Sequence, residues 1–158
     1  MIDEKYGMIA KQSIGMVEGI KRTGLKIVGL KDHYVKMVMP LEGNVNHVGI
    51  MYAGSLFTLG EVTGGIYWGI EFDREKSFPL VKEITIQFKR PAATDVTLEA
   101  AFDEAEVKKV EAEMDDVGKA DFTLDLELKD ANDVTVSLVH GIWQVRKLTP
   151  EMIGAFKV

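Results

Sequence analysis

Apolar residues recur along this chain with two different periods. In the N-terminal segment, residues 1–24, they fall at helical spacing behind a candidate N-cap at Asp3, which predicts an amphipathic helix over residues 3–21. From residue 25 the period changes to two, with polar and apolar side chains alternating as far as Pro40. This second pattern predicts a strand or a hairpin-like pair of strands.

Alternation returns in the second half of the chain. It predicts strands over residues 80–90 and 95–103, and two long strands over 120–130 and 134–148. Four residues rich in Asp and Asn join the last two strands, which predicts a hairpin turn at Asp130, Ala131, Asn132 and Asp133.

The segment between residues 103 and 118 has a different pattern. Its apolar residues recur at helical spacing among many charged ones, and Gly118 closes it. This pattern predicts a short surface helix. The apolar positions are Val107, Val110, Met114 and Val117.

Residues 48–70 contain a single charged residue, Glu61, in a chain that is 28% charged overall. The first part, residues 51–64, predicts a helix that is buried on nearly all sides. The tail, residues 64–72, is rich in aromatic and β-branched residues after a pair of glycines, which predicts a strand.

Consecutive strands with short connections pair antiparallel, and their one apolar face must be covered. Only the segment 51–64 is apolar enough to cover it. The sequence therefore predicts an α+β protein in which a long antiparallel sheet wraps around one central helix, the architecture of the hotdog fold. We expect residues 1–158 to form a single domain.

Composition excludes several classes of site. There is no cysteine, and the three histidines are scattered, so we expect neither disulfides nor a metal site. A net charge of −6 argues against general binding to nucleic acid. The charged N-terminus does not resemble a signal peptide, so we expect a cytoplasmic protein.

The lone carboxylate of Glu61 has three explanations. A membrane span would place it near mid-bilayer, at a cost of about 2.5–3.5 kcal/mol, and leaves the flanking alternation unexplained. A structural carboxylate in a core helix would need a partner, because burial of an unpaired charge is costly. Phe57 and Gly65, one turn away on either side, offer no cation.

The third explanation is catalysis. A glutamate on a rigid helix can act as a general base or as a nucleophile if nearby donors polarise a carbonyl group. Free N–H groups at the start of the predicted helix, near Tyr52, Ala53 and Gly54, are such donors. Gly54 would also allow a substrate to approach the backbone closely. We favour this explanation and keep the structural one as the alternative.

The segment NHVGIMYAGSLFTLGEVTGG, residues 46–65, resembles the signature of hotdog-fold acyl-CoA thioesterases. In that signature a helix start similar to His-Gly-Gly is followed by an acid nine residues after the His. Here Tyr52 takes the place of the His, Ala53 and Gly54 take those of the glycines, and Glu61 that of the acid. The helical insert at 103–118 resembles a branch of uncharacterised thioesterases within this superfamily.

The resemblance implies hydrolysis of an acyl-CoA or a related acyl thioester, with Glu61 as the general base or nucleophile. It implies no cofactor other than the coenzyme A of the substrate, and no metal. The remaining candidate roles are an oxyanion hole at Ala53 and Gly54, orientation by Asn46, Tyr52 and His47, contacts to the acyl group by Phe57 and Thr58, and phosphate binding by Lys89 and Arg90.

The resemblance also implies that two protomers share each active site, so we expect a homodimer or a tetramer, without nucleic acid or membrane partners. Tyr52 departs from the family pattern, because a phenol donates one hydrogen bond but carries no positive charge. A non-catalytic hotdog domain that binds acyl-CoA or dimerises remains the alternative. A hydratase fits poorly, because that chemistry usually pairs an acid with a His, and only His47 is near.

Overall fold

The computed structural model describes residues 1–155, and its centre is a six-stranded antiparallel sheet. The strands run in the order β1-β2-β4-β5-β6-β3, so β1 and β3 form the two edges. Their bounds are β1 (Lys26–Lys31), β2 (Tyr34–Met39), β3 (Ser77–Phe88), β4 (Val96–Ala101), β5 (Lys119–Asp130) and β6 (Thr135–Lys147).

A helix of 19 residues packs against one face of this sheet. Leu59 and Ile66 of this helix are fully buried in the core that it shares with the strands. This arrangement confirms the predicted hotdog fold. The helices are α1 (Gly7–Gly15), α2 (Glu18–Lys21), α3 (Ala53–Glu71), α4 (Glu104–Val117) and α5 (Pro150–Ala155), preceded by a 3-10 turn at Glu4–Tyr6.

The prediction of a strand over residues 64–72 is wrong, because α3 continues to Glu71. The glycine pair does not break the helix. Gly64 instead gives the indole ring of Trp143 room to lie against the helix backbone, and the next turn buries Ile66 and Tyr67. Burial against the sheet outweighs the local preference of these residues for extended structure.

The prediction of one helix over residues 3–21 is also wrong. The segment consists of the 3-10 turn, α1 and α2, with an extended residue, Val17 (φ −104°, ψ 109°), before α2. The last residue of α1 is Gly15. Because glycine has a low helix propensity, ending the helix there costs little free energy. The break lets α1 pack against α3.

Other predicted elements are confirmed. Residues 26–39 form the β1–β2 hairpin, and α4 ends at Val117 with Gly118 as its C-cap, whose φ of 81° favours glycine. In the turn between β5 and β6, Asp130 Oδ1 accepts hydrogen bonds from the N–H groups of Asn132 (2.9 Å) and Val134 (3.0 Å). Helix α5 was not predicted.

The prediction of a single domain stays a prediction, and its last three residues lie outside those described. Among residues 1–155, no helix combines the length and the apolar character needed to cross a bilayer.

Candidate active site

Asn44 holds the start of α3 in place. Its backbone carbonyl accepts a hydrogen bond from Tyr52 N–H (2.7 Å), and its side-chain Oδ1 accepts one from the Ser55 hydroxyl (2.8 Å). Its Nδ2 donates to the carbonyl oxygens of Thr23 (2.7 Å) and Pro40 (2.8 Å). Sequence reasoning missed this residue, because the loop has two asparagines and its pattern does not tell which one is buried.

Asn46 orders the loop that precedes α3. Its Oδ1 accepts hydrogen bonds from the N–H groups of Val48 (3.0 Å) and Ile50 (3.2 Å). Within the described part of the chain, its Nδ2 has no acceptor. The side chain is half-buried, so this amide group can donate to a ligand.

The start of α3 presents two free donors. The Tyr52 carbonyl accepts from Ser55 N–H (3.0 Å) and Leu56 N–H (3.3 Å), whereas the N–H groups of Ala53 and Gly54 have no acceptor among the residues described. Free N–H groups at the positive end of a helix dipole attract an anion or a polarised carbonyl oxygen.

The side chain of Tyr52 lies over Gly54. A Cβ placed on Gly54 would come within 2.2 Å of the ring atom Cε1 of Tyr52. The Tyr52 ring therefore packs against the backbone of Gly54. It forms a wall of the site beside the N–H groups of Ala53 and Gly54. Tyr52 is 58% exposed, so the ring has room to move.

Glu61 lies half-buried in a groove between α3 and the two N-terminal helices. Burial raises the pKa of its carboxyl group above the ordinary value. In the described residues it has neither a hydrogen bond nor an ion pair. A half-buried carboxylate without a partner, on the floor of a groove, is a candidate for acid–base chemistry.

One chain does not bring Glu61 and the free donors of α3 together. Gly54 and Glu61 are seven residues apart on the same helix, which separates them by about 10 Å along its axis. They also line different grooves. The helix-start groove has a volume of about 410 Å³ and contains Arg22, Asn46 and Tyr52, whereas the Glu61 groove has a volume of about 360 Å³.

The other predicted residues fall around the helix start. Thr58 lines the same groove and its hydroxyl donates to the Gly54 carbonyl (2.8 Å), while Phe57 is 39% exposed beside it. His47 is exposed in the preceding loop.

Lys89 and Arg90 are exposed directly after β3. Their N–H groups both donate to the carbonyl oxygen of Val136, at 2.8 and 3.2 Å. Two residues after Arg90, the Ala92 carbonyl accepts from Met51 N–H (2.8 Å). The segment that carries the two cations therefore contacts Met51, two residues before the start of α3.

A family described as "Putative thioesterase (yiiD_Cterm)" matches residues 19–145 of the chain. The chain belongs to this family. The matched region contains α3, α4, the strands β1 to β5 and all of β6 except its last two residues. A comparison with curated proteins finds no match.

Solved structures show the same fold. A Pseudomonas aeruginosa protein of unknown function, described as a "Probable Thioesterase", is 36% identical, with a TM-score of 0.84 over 89% of this chain and 95% of its own. A Chlorobaculum tepidum protein of unknown function is 18% identical, with a TM-score of 0.78 over 89% of this chain and 95% of its own.

A Staphylococcus aureus thioesterase is 16% identical, with a TM-score of 0.65 over 82% of this chain and 99% of its own. It was solved with a Gln replaced by Ala and, separately, with a Glu fifteen positions further along replaced by Ala. At such low identity, this structure and that from Chlorobaculum tepidum show the fold alone.

Proposed function

We propose that this thioesterase-family protein hydrolyses an acyl-CoA or a related acyl thioester, with Glu61 as the catalytic carboxylate. The observation that carries the proposal is the environment of Glu61. The carboxyl group is half-buried, its pKa is raised by burial, and it has no partner within the described residues. A carboxylate in this state is available to accept a proton from water or to attack a carbonyl carbon.

In the reaction, Glu61 takes a proton from a water molecule whose oxygen attacks the thioester carbonyl, or it attacks that carbon itself. The carbonyl oxygen becomes an oxyanion, which the N–H groups of Ala53 and Gly54 stabilise. The carbon–sulfur bond then breaks, and the sulfur leaves as a free thiol with the proton that Glu61 took from water. If Glu61 attacks directly, a water molecule afterwards hydrolyses the acyl–glutamate anhydride, which releases the carboxylic acid, restores the Glu61 carboxylate and supplies the proton of the thiol. The Nδ2 of Asn46 and the phenol of Tyr52 donate hydrogen bonds that orient the carbonyl or the water.

The separation of about 10 Å between Gly54 and Glu61 in one chain favours a site to which two protomers each contribute one of these groups. The edge strand β3 supports this. Among the described residues, its stretch 80–88 pairs with no strand on one side, and it exposes the apolar side chains of Leu80, Val81 and Phe88. Pairing of two such edges would cover them, because exposed edge strands join readily. We therefore propose a homodimer as the active unit.

Sequence spacing gives further support. Asn46 and Glu61 are fifteen positions apart, the same separation as the Gln and the Glu that were each replaced by Ala in the Staphylococcus aureus thioesterase. We also propose that Lys89 and Arg90 bind the phosphates of coenzyme A, since the segment that carries them contacts Met51, two residues before α3.

The decisive assay is the release of free thiol from short, medium, long and aromatic acyl-CoAs by the wild type and by Glu61→Gln. Glu71→Gln is the matched control, because Glu71 is a half-buried glutamate of the same helix that, unlike Glu61, has a partner in His33 (2.8 Å). Dimer formation is checked by size-exclusion chromatography with light scattering.

We expect turnover in the wild type and the control and its loss in Glu61→Gln, with the dimer intact. Full turnover in Glu61→Gln would contradict the proposed role of this residue. Tight binding without turnover of any substrate would instead favour a non-catalytic acyl-CoA-binding domain.

A further inference from the structure

A groove of about 360 Å³ runs from Glu61 along α3, beneath the N-terminal helices α1 and α2. On the α3 side it is lined by the buried apolar side chains of Val62 and Ile66, and on the α2 side by that of Ile20. Met16 and Val17, at the junction of α1 and α2, form the opposite wall. The break in the N-terminal helical segment thus places apolar side chains across from α3.

The α3 side of the groove lacks a side chain directly beyond Glu61. Gly65 lies one turn after Glu61 on the same face of the helix, and a Cβ placed there would meet nothing within 4 Å. Trp68 is the next large residue on this side of the groove. Glu61 and Trp68 are seven residues apart, which corresponds to about 10 Å along the helix axis.

Arg74 closes the far end. Its Nη2 donates to Gln12 Oε1 (2.6 Å), which links the segment after α3 to α1. Its guanidinium group also lies over the Trp68 ring, 5.9 Å from the centroid. Together these three side chains form a polar and aromatic barrier at the end opposite Glu61.

We propose that this groove binds the acyl chain of the substrate, with the thioester at Glu61 and the end of the chain at Trp68 and Arg74. The inference rests on the proposed hydrolysis and adds a substrate class to it. A length of about 10 Å accommodates roughly eight bonds of an extended chain, which selects medium-chain acyl groups. Gly65 sets the width of the groove, and the Arg74–Gln12 contact sets its length.

The groove fits an acyl chain because its polar groups stand at its two ends and its middle is apolar. Each methylene transferred from water to such a surface increases affinity about fourfold. Affinity should therefore rise with chain length until the chain reaches Trp68, and then level off.

The test measures the affinity of S-alkyl-CoA thioethers of increasing chain length by isothermal titration calorimetry. Thioethers have no carbonyl group to hydrolyse, so binding is read independently of turnover. The variants are Gly65→Leu, which fills the groove, and Arg74→Ala, which opens its far end. Gly7→Leu is the matched control, since Gly7 is also a helical glycine with free space around its missing Cβ but lies outside the groove.

For the wild type and Gly7→Leu we expect affinity to rise about fourfold per methylene up to roughly eight carbons. Gly65→Leu should lose most of this rise, and Arg74→Ala should extend it to longer chains. If both groove variants keep the chain-length dependence of the wild type, or if the wild type shows none, the groove does not bind the acyl chain.

The same variants separate this inference from the proposed function. Chain-length-dependent binding that Gly65→Leu abolishes, without hydrolysis of any thioester, would support the groove and contradict the enzyme. Hydrolysis with the same chain-length preference in the wild type and in Gly65→Leu would support the enzyme and overturn the groove.

Discussion

The backbone of Gly64 lies directly against the indole ring of Trp143, and a Cβ placed on Gly64 would come within 2.2 Å of the ring atoms Cε2 and Nε1. Trp143 is only 1% exposed, so the ring cannot move aside. The neighbouring Gly65 lines the groove beside Glu61 instead, and a Cβ placed on it would meet no atom within 4 Å. Of these two adjacent glycines of α3, Gly64 thus allows close packing in the core, and Gly65 leaves space in the groove beside Glu61.

This contrast predicts opposite effects on stability. Gly64→Ala forces a methyl group into the packed Trp143 ring and should lower the free energy of unfolding by about 1–3 kcal/mol. Gly65→Ala meets no neighbour and should raise it by about 0.5–1 kcal/mol, since alanine is the better helix former. Urea unfolding followed by circular dichroism measures both, and a loss of stability in Gly65→Ala would show that its side of the helix is packed.

The raised pKa of Glu61 predicts the pH dependence of activity. A general base acts only when ionised, so kcat/KM should fall on the acid side with an apparent pKa above 4.5, the ordinary glutamate value. A pH profile of thiol release measures this limb. An apparent pKa at or below 4.5 on the acid side of this profile would mean that the catalytic carboxylate is fully solvated.

The same shift predicts a change in stability. Because the folded-state pKa of Glu61 lies above its unfolded value, the stability that this group contributes is complete below pH 4.5 and is lost as the pH rises through the folded pKa. Glu61→Gln removes that loss. The difference in unfolding free energy between the variant and the wild type should therefore shift in favour of the variant when the pH is raised from 4.5 to neutral. Urea unfolding of both proteins at the two pH values measures this difference.

The two asparagines before α3 should separate stability from turnover. Asn44→Ala removes a buried side chain and leaves the partly buried carbonyl groups of Thr23 and Pro40 without their donor, which should cost about 1–3 kcal/mol of unfolding free energy. Asn46→Ala should cost less, because its side chain is only half-buried, yet it should reduce kcat more. Full turnover in Asn46→Ala would assign this residue to loop structure alone.

The cations after β3 should affect substrate binding. Replacing Lys89 and Arg90 together by Ala should raise KM severalfold and leave kcat nearly unchanged, because phosphate contacts far from the carbonyl bind ground state and transition state equally. Lys108 and Lys109 on the surface of α4 form the matched control, which removes the same charge elsewhere. A fall in kcat with unchanged KM would contradict the phosphate-binding role.

A shared active site predicts complementation between inactive variants. Mixed dimers of Glu61→Gln and Asn46→Ala contain one site in which both residues are intact, so an equal mixture should recover about a quarter of wild-type activity after subunit exchange. Each variant alone should remain inactive or weak. Absence of recovery, with exchange proven by mass spectrometry, would place both residues in a site within one chain.

Local sequence patterns determined a large part of the fold. The alternation over residues 120–130 and 134–148 and the acidic turn between them specify β5, β6 and their hairpin, because side chains of a strand point alternately to its two faces. The helical spacing of Val107, Val110 and Met114 specifies α4. The absence of charge around Glu61 identifies the helix that the sheet covers.

The sequence by itself therefore determined the elements whose period is clear and the carboxylate that stands out from its surroundings. Only the tertiary structure decided where α3 ends, how α1 and α2 fold over it, and which asparagine is buried. It also decided that Glu61 and Gly54 line separate grooves. The physical reason is that these features depend on contacts between distant residues, such as Gly64 with Trp143 and Asn44 with Thr23, and no short stretch of sequence records such contacts.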